Sequence, residues 1–497
     1  VILAARQIEV PAMSLPELLG AENGACADIM IRGMQLDSRR VRPGDLFLAL
    51  PGEMHDGRQF IEQAVANGAV AVVAEAPVAG FVDALAVPLV ELPELRFEAG
   101  VLAARFYRNP SHAMQVMGVT GTNGKTTTSR IIAQLSRALG KPCGVIGTLG
   151  NTLADDVSAV GNTTPDALAL QRQLAQWLAQ GVIAVSMEVS SHALVQGRVK
   201  GVEFATAIFT NLSHDHLDYH GSMDAYGRAK LQLFATEGLR HAVINADDQF
   251  ASQVRAAVTR GAQILTYSAS GAAADVRIEN PRFHTDGVHG ELHSPWGVAD
   301  FYSPLPGDFN LANLAAAVAA LAMAGEDLLA VLEAVAALSP VPGRMQAIPN
   351  TFDLQVIVDY AHTPHALEQV LKAIRPHVSG ALVTVFGCGG DRDREKRQAM
   401  GRVACALSDR VVVTSDNPRS EEPLQIMRDI AAGCSGEFTL VADRAQAIAA
   451  AVAAAGVGDC VVIAGKGHED YQLVGGASRP FSDAAQARAA LARRTTS

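Results

Sequence analysis

GVTGTNGKTTT, residues 118–128, lies between an apolar run, Met114–Val119, and a segment of helical periodicity, Thr126–Leu139. Strand, glycine turn, helix is the arrangement that points backbone N–H groups at a phosphate. Glycines in the turn let the chain reverse without a side chain in the way. Lys125 is placed to reach the terminal phosphates of a nucleoside triphosphate, and Thr126 to offer its hydroxyl to Mg2+. The usual spacing, Gly, four residues, Gly-Lys-Thr, is not strictly met, because Val119 stands where its first glycine belongs. Gly118 and Gly121 bracket that place. Gly121, Thr122, Asn123, Gly124, Lys125, Thr126 and Thr127 are the expected nucleotide contacts, and nothing in the loop selects the base.

The α/β rhythm extends outward from this loop. Strands are expected at Val182–Val189, Phe204–Thr210 and Ala242–Asn245, with crossover helices between them. The segment 264–306 (ILTYS, VRIEN, GVHGELHS) reads as antiparallel strands added to the sheet, and helices fill 310–338. Upstream, a strand entered at Asp45, a helix Arg58–Asn67, an apolar strand Gly68–Glu75 and an edge strand Leu85–Val90 form a small unit; Pro88 confines the last to an edge. A helix Pro93–Tyr107, with proline at its first position, ends before Asn109-Pro110. Beyond Pro340, Pro342 and Gly343 the rhythm restarts: strands 354–358, 381–386, 410–414, 438–441 and 459–463, helices 364–375, 396–406, 423–433, 444–455 and 482–493. The expected fold is α/β in three domains: 1–110, 111–342 with the phosphate loop in a central nucleotide-binding sheet, and 343–497 as a doubly wound, Rossmann-like domain.

Composition bounds the function. A chain of 497 residues corresponds to about three domains. Its net charge of -11 excludes a nucleic-acid coat but leaves room for a local basic pocket. Six cysteines without a Cys-x-x-Cys pair make neither a disulfide framework nor a thiolate zinc site. The start, VILAARQIEV, lacks the pattern of a signal peptide, and the Ala-rich stretch Ala315–Ala324 is too short to span a bilayer. A cytoplasmic protein without a membrane span is expected.

Polar residues collect after the strands, where open sheets bind ligands. Glu188, in MEVSSHALVQGR (187–198), suits Mg2+ held between phosphates. Ser190, Ser191 and His192 are adjacent and cannot face one another as nucleophile and base. TNLSHDHLDYHG (210–221) carries His214, Asp215, His216, Asp218 and His220; zinc is possible by ligand type, but a second magnesium site using His216 fits a phosphate loop better. Of only seven lysines, three stand in conspicuous places: Lys125, Lys230 and Lys466. In the last domain Asp359 and His362, then Arg392 and Lys396, then Asp416, Asn417 and Arg419, then Lys466, His468 and Glu469 follow successive strands. Arg392 and Arg419 suit carboxylates; Asn417 and Glu469 suit an amine. On these grounds an amino-acid ligase and a kinase both remain open.

These motifs resemble those of the Mur ligase family. The resemblance covers essentially the whole chain and is specific at GTNGKTTT (121–128), MEVSSHALVQGR, NLSHDHLDYHG (211–221), YGRAK (226–230), VDYAHTP (358–364), GCGGDRD (387–393), DNPR (416–419) and GKGHEDYQ (465–472). It implies an ATP- and Mg2+-dependent ligase, expected as a monomer, that joins meso-diaminopimelate to UDP-MurNAc-L-Ala-D-Glu through an acyl phosphate. DNPR is the family's mark for diaminopimelate. The resemblance further implies Thr126, Glu188 and His216 as metal ligands, and Lys230 as a lysine carrying a carbamate (N6-carboxylysine). Asn310 is implied near adenine, and Arg344 and Asp359 as further nucleotide-side contacts. Ser38, Thr163, Thr164, Ser190, Gln196 and Arg198 are implied for the UDP substrate. Arg392, Asp416, Asn417, Arg419, Gly465 and Glu469 are implied for diaminopimelate. Related readings are a folylpolyglutamate synthetase-like enzyme and a ligase adding L-lysine. One departure stands out: PGEMHDGRQF (51–60) has Glu53 and Met54 where some relatives carry His-Gln.

Overall fold

The computed structural model describes residues 12–20, 28–52, 55–81, 85–153, 156–158, 162–284 and 287–494. The departure at Glu53 and Met54 therefore lies outside the described residues. The chain divides into two compact units: 1–267 with 316–326, and 268–315 with 327–497.

The first unit holds two larger sheets, besides the antiparallel pair Met13–Ser14/Met30–Ile31. A four-stranded parallel sheet runs in the order Gly33–Gln35, Asp45–Ala49, Ala71–Glu75, Leu89–Leu92. The last strand is at the edge but starts at Leu89 rather than Leu85, so Pro88 precedes it instead of standing within it. The helix that follows begins at Leu95, not at Pro93: Glu94 intervenes with a left-handed φ of 54°, so proline ends the preceding strand rather than opening the helix. In the second sheet six strands are parallel, in the order Cys143–Ile146, Ala184–Glu188, Gln115–Thr120, Thr206–Phe209, His241–Asn245, Gln263–Ser268. ILTYS thus belongs to a parallel strand, contrary to the antiparallel reading of 264–306. Its own alternation cannot reveal the direction of a neighbour that lies about twenty residues earlier. The short strands Asn151–Leu153 and Asp156–Ser158 join antiparallel at the other side. The sheet is buried by residues such as Val116, Met187, Phe204, Phe209 and Leu233, which explains the near-continuous apolar runs of its strands.

In the second unit, Val276–His284, Gly287–Ser294 and Gly297–Ser303 form an antiparallel meander. A further sheet has the order Gln346–Ala347, Gln355–Asp359, Cys460–Ala464, Leu382–Phe386, Arg410–Val413, Phe438–Leu440, parallel except for its first pair. Both faces are covered. Ile357, Val462 and Phe386 pack under helices Pro364–Ile374, Glu395–Leu407 and Pro423–Ala431, while Val356, Val461 and Val385 pack under Arg444–Ala454 and Asp483–Arg493. Alternate residues of one strand therefore serve two cores, the signature of a doubly wound sheet. No helix among the described residues is long and apolar enough to cross a membrane.

One buried ion pair ties the functional end of this sheet together. Arg444 and Asp483, both fully buried, meet in two bonds of 2.7 Å. Arg444 also donates to the Ser415 carbonyl at 3.2 Å and the Ala464 carbonyl at 2.9 Å, at the ends of two strands. Removing one partner leaves the other charge unpaired in the interior. Asp483→Ala is expected to lower the unfolding free energy by roughly 3–5 kcal/mol. Urea unfolding of the full chain measures it, and a loss below about 1 kcal/mol would contradict the role given to the pair.

Candidate active site

The phosphate loop connects strand Gln115–Thr120 to helix Lys125–Ala138. Gly121 has φ 151° and Gly124 φ 86°, and a Cβ on Gly121 would sit 1.9 Å from Thr210 Oγ1. Only glycine fits there. The loop is stitched to the end of the neighbouring strand. Thr210 Oγ1 donates to the Asn123 carbonyl at 2.6 Å, the Asn123 N–H donates to Asn211 Oδ1 at 2.9 Å, and the Ser213 N–H donates to Thr122 Oγ1 at 2.9 Å. Lys125 Nζ folds back to the loop's own carbonyls at Gly121 (2.8 Å) and Thr122 (2.9 Å).

Beside the loop, Glu188 is 1% exposed. Its Oε2 accepts from Thr126 Oγ1 at 2.8 Å and from Thr148 Oγ1 at 3.0 Å, and its Oε1 accepts the Thr148 N–H at 2.8 Å. A buried carboxylate beside a hydroxyl gives a hard, all-oxygen donor set that fits Mg2+. His216, with a left-handed φ of 54°, lies in an aromatic group with His192 (5.0 Å between ring centres) and Tyr226 (6.0 Å). Burial lowers its pKa, and Lys125 and Lys230 push the same way against Asp215, so its imidazole is held neutral. Among the described residues no three His, Cys, Asp or Glu side chains converge as a ready-made metal cluster.

Lys230 is 1% exposed, with Nζ 4.2 Å from the centre of the Tyr226 ring. Burial, and then the charge of Lys125, lower its pKa well below that of a free lysine, with only Asp215 opposing. Burial thus disfavours its charged form.

The UDP-side residues gather around a cleft of about 630 Å³ in the same unit. Ser38, Gln196 and Arg198 line it, together with Arg39, His55 and Arg96. Thr164 and Ser190 stand behind them: Thr164 Oγ1 donates to the Glu188 carbonyl at 2.8 Å, and Arg198 donates to the Thr164 carbonyl at 3.0 Å. Thr163 Oγ1 lies 3.2 Å from Thr148 Oγ1. Sequence reading missed Arg39, His55 and Arg96. His55 lies in the 51–60 segment and Arg39 beside Ser38, but only the fold brings them and Arg96 to 196–198.

The second unit holds the remaining residues. Arg419, at φ 53°, donates to the Gly390 carbonyl at 2.7 Å, which joins the DNPR loop to GCGGDRD. Arg397, buried under these loops, holds Glu421 through two bonds of 2.8 and 3.0 Å, and this holds the Glu421 carboxyl down at about 2. Glu421 in turn accepts the Asp391 N–H at 2.7 Å, next to exposed Arg392. The hairpin Tyr471–Val474/Ala477–Pro480, not expected from sequence, is tied to the same loop, with the Arg419 N–H donating to the Leu473 carbonyl at 3.0 Å. Gly465, at φ 117°, brings its backbone close to Asp416. Asn310 is buried, and its Nδ2 donates to the Pro306 carbonyl at 2.7 Å. Asp359 is less open than expected: its two oxygens accept the N–H groups of Met345 (2.7 Å) and Ala361 (2.8 Å), and burial raises its pKa against the pull of Arg344. Arg344 stacks over Tyr360 at 4.4 Å.

A phosphate loop, a buried acid beside it and a separate arginine-and-acid pocket define an ATP-using ligase-type site. Three family models match the chain in succession: Mur ligase family, catalytic domain (30–107), Mur ligase middle domain (119–321), and Mur ligase, glutamate ligase domain (343–467). The chain is 49% identical over 483 residues to the UDP-N-acetylmuramoyl-L-alanyl-D-glutamate–2,6-diaminopimelate ligase of Ectopseudomonas mendocina, covering 97% of this chain and 98% of the relative. It is 48% identical over 467 residues to the protein of that name from Pseudomonas aeruginosa, covering 94% and 96%. A solved structure of a ligase of the same name superimposes with a TM-score of 0.75 at 40% identity, covering 97% of this chain and 99% of that one. The chain belongs to the Mur ligase family.

The close approach at Gly121 gives a direct test of the loop. Gly121→Ala displaces Thr210 and Asn211 and is expected to weaken ATP binding at least ~100-fold. Fluorescence titration with a labelled nucleotide measures it, and affinity within about threefold of the parent would contradict the geometry.

Proposed function

We propose that this chain joins meso-diaminopimelate to the γ-carboxylate of D-glutamate in UDP-MurNAc-L-Ala-D-Glu, with cleavage of ATP to ADP and phosphate. The observation that carries the reading is the pairing, in one chain, of a Thr126–Glu188 phosphate site and an Arg419–Asn417–Glu469 pocket. Near-half identity to ligases of that name supports the choice of substrates. Three domains, 1–110, 111–342 and 343–497, are part of this reading.

In the reaction, a γ-carboxylate oxygen attacks the γ-phosphorus and ADP leaves. The resulting acyl phosphate is attacked at carbon by a neutral amine, which loses its proton as phosphate departs. Lys125 leaves its loop carbonyls for the β- and γ-phosphates, and the N–H groups of Gly121–Thr127 face the same charge. Thr126, Glu188 and His216 would hold Mg2+, which would supply screening of the phosphate charges. Ser38, Gln196 and Arg198 bind the UDP substrate in the 630 Å³ cleft, and Thr163, Thr164 and Ser190 serve its end near Glu188, where Thr164 donates to the Glu188 carbonyl. Asn310 and Arg344 are further nucleotide-side residues in this reading. Asp359 acts through the backbone it holds.

Lys230 is the modified residue. In its unprotonated form the amine adds CO2 and releases a proton, which turns a buried would-be cation into a carboxylate. Lys230→Ala is expected to cut kcat at least ~1,000-fold, an electrostatic contribution of the order found at such sites. Short carboxylic acids should restore part of it, and intact-mass spectra at neutral pH should show an acid-labile CO2 adduct on the parent only. A parent without the adduct, or a variant of near-parental rate, would contradict the assignment.

Phosphate release by the purified chain with ATP and UDP-MurNAc-L-Ala-D-Glu tests the whole reading. Release should depend on meso-diaminopimelate and be far slower with L-lysine. Arg419→Ala should raise the KM for diaminopimelate by ~100-fold, the size of a lost charge-assisted pair, with little effect on the KM for ATP. Equal damage to both would remove Arg419 from substrate selection.

A further inference from the structure

The Lys466 ammonium is fully buried, just past strand Cys460–Ala464. It donates to Asn417 Oδ1 at 3.0 Å and to Glu469 Oε2 at 2.9 Å, and Asp416 Oδ1 is 3.5 Å away. The Leu473 N–H donates to the same Asn417 oxygen at 3.0 Å, while Asn417 Nδ2 donates to Glu469 Oε2 at 2.8 Å. Two donors on the amide oxygen leave Asn417 a single orientation, with its NH2 toward Glu469. Glu469 Oε2 thus has two donors, and no described residue donates to Oε1.

The charges point the same way. Asp416 and Glu469 bring two negative charges and Lys466 returns one positive, so the cluster holds one net negative charge. That matches a single ammonium group. Arg419 stands on the same loop for a carboxylate. One ammonium and one carboxylate together are one amino-acid centre. The reacting amine of diaminopimelate has to be neutral and free, so the centre held here is the other one.

We propose that Lys466 is a positioning residue for the non-reacting amino-acid centre of diaminopimelate. It fixes the Asn417 amide and occupies Glu469 Oε2, so that Oε1 is aimed at the incoming ammonium. This inference rests on the substrate reading above. Asn417, whose amide oxygen is already shared between Lys466 and Leu473, helps to build the pocket and offers the ligand at most its remaining N–H.

The test is steady-state phosphate release by the full chain, with each substrate varied in turn. Lys466→Met preserves length and removes the charge. Its KM for meso-diaminopimelate should rise at least ~30-fold, with kcat and the KM values for ATP and the UDP substrate within about threefold of the parent. Lys466→Gln, which keeps a donor without the charge, should show the same split to a smaller degree. In a double-mutant cycle, adding Lys466→Met to Glu469→Gln should raise that KM far less than Lys466→Met does alone, because the two act through one carboxylate. An unchanged diaminopimelate KM, a uniform loss across all substrates, or full additivity would overturn the proposal. So would failure of both Lys466 variants to fold, which would make the residue one of stability. A parent chain inactive with diaminopimelate would instead refute the substrate reading.

Discussion

Parallel pairing of three adjacent strands is the constraint on which the phosphate site depends. Glu188 is level with Val119 and Phe209 is level with Thr120, so three strands end at one rim of the sheet. Every side chain that follows these strands is delivered there by a short, rigid path. The loop after the first becomes the phosphate cradle, the last residue of the second becomes its carboxylate, and Thr210 and Asn211 after the third brace the cradle from behind. A slip of one residue would turn Glu188 toward the opposite face of the sheet. The close backbone approach at Gly121 and the burial of Lys230 are both consequences of this packing.

The second unit reaches a comparable result by another device. Its strand ends carry the DNPR and GKGHE loops, and Arg444 bonds to the backbone just before each of them. The charge of Arg444 is balanced internally by Asp483, so the pair leaves the pocket above it unaltered in net charge. Above it, Arg397 and Glu421 fasten the outer loops to each other. The pocket is thereby assembled from layers of paired charges, with few polar atoms left to meet a ligand. Buried polar groups that are fully satisfied give rigidity, and rigidity gives selectivity between similar amines.

Much of this was legible in the sequence, for local reasons. The phosphate loop announces itself by glycines between a strand and a helix. In the last domain the strands at 355, 382, 410, 438 and 460 and the helices between them lie within a residue or two of the reading, because each is a short apolar run bounded by turn residues. Strand Cys143–Ile146 escaped notice because it is only four residues long and contains a glycine, and Asn151–Leu153 because it is mixed in polarity. The 471–480 hairpin was missed although Gly475-Gly476 marks a turn, since its strands are exposed and lack alternation. Lys466 was noticed as a rare lysine and as a polar residue after the last strand, without a role. Its role depends on Asn417, 49 positions earlier, and on Leu473. Asp359 shows the reverse case: its place after a strand suggested a ligand contact, and its oxygens turned out to hold backbone. A motif names residues, whereas hydrogen-bond partners decide which of them remain available.

The chemistry proposed for the rim of the first unit is transfer of a phosphoryl group to a carboxylate. Labelling the D-glutamate γ-carboxylate of UDP-MurNAc-L-Ala-D-Glu with 18O tests this most directly. If an acyl phosphate forms and is then opened by an amine, the phosphate released carries one oxygen atom from that carboxylate. Phosphate free of label, formed together with the amide, would contradict the mechanism.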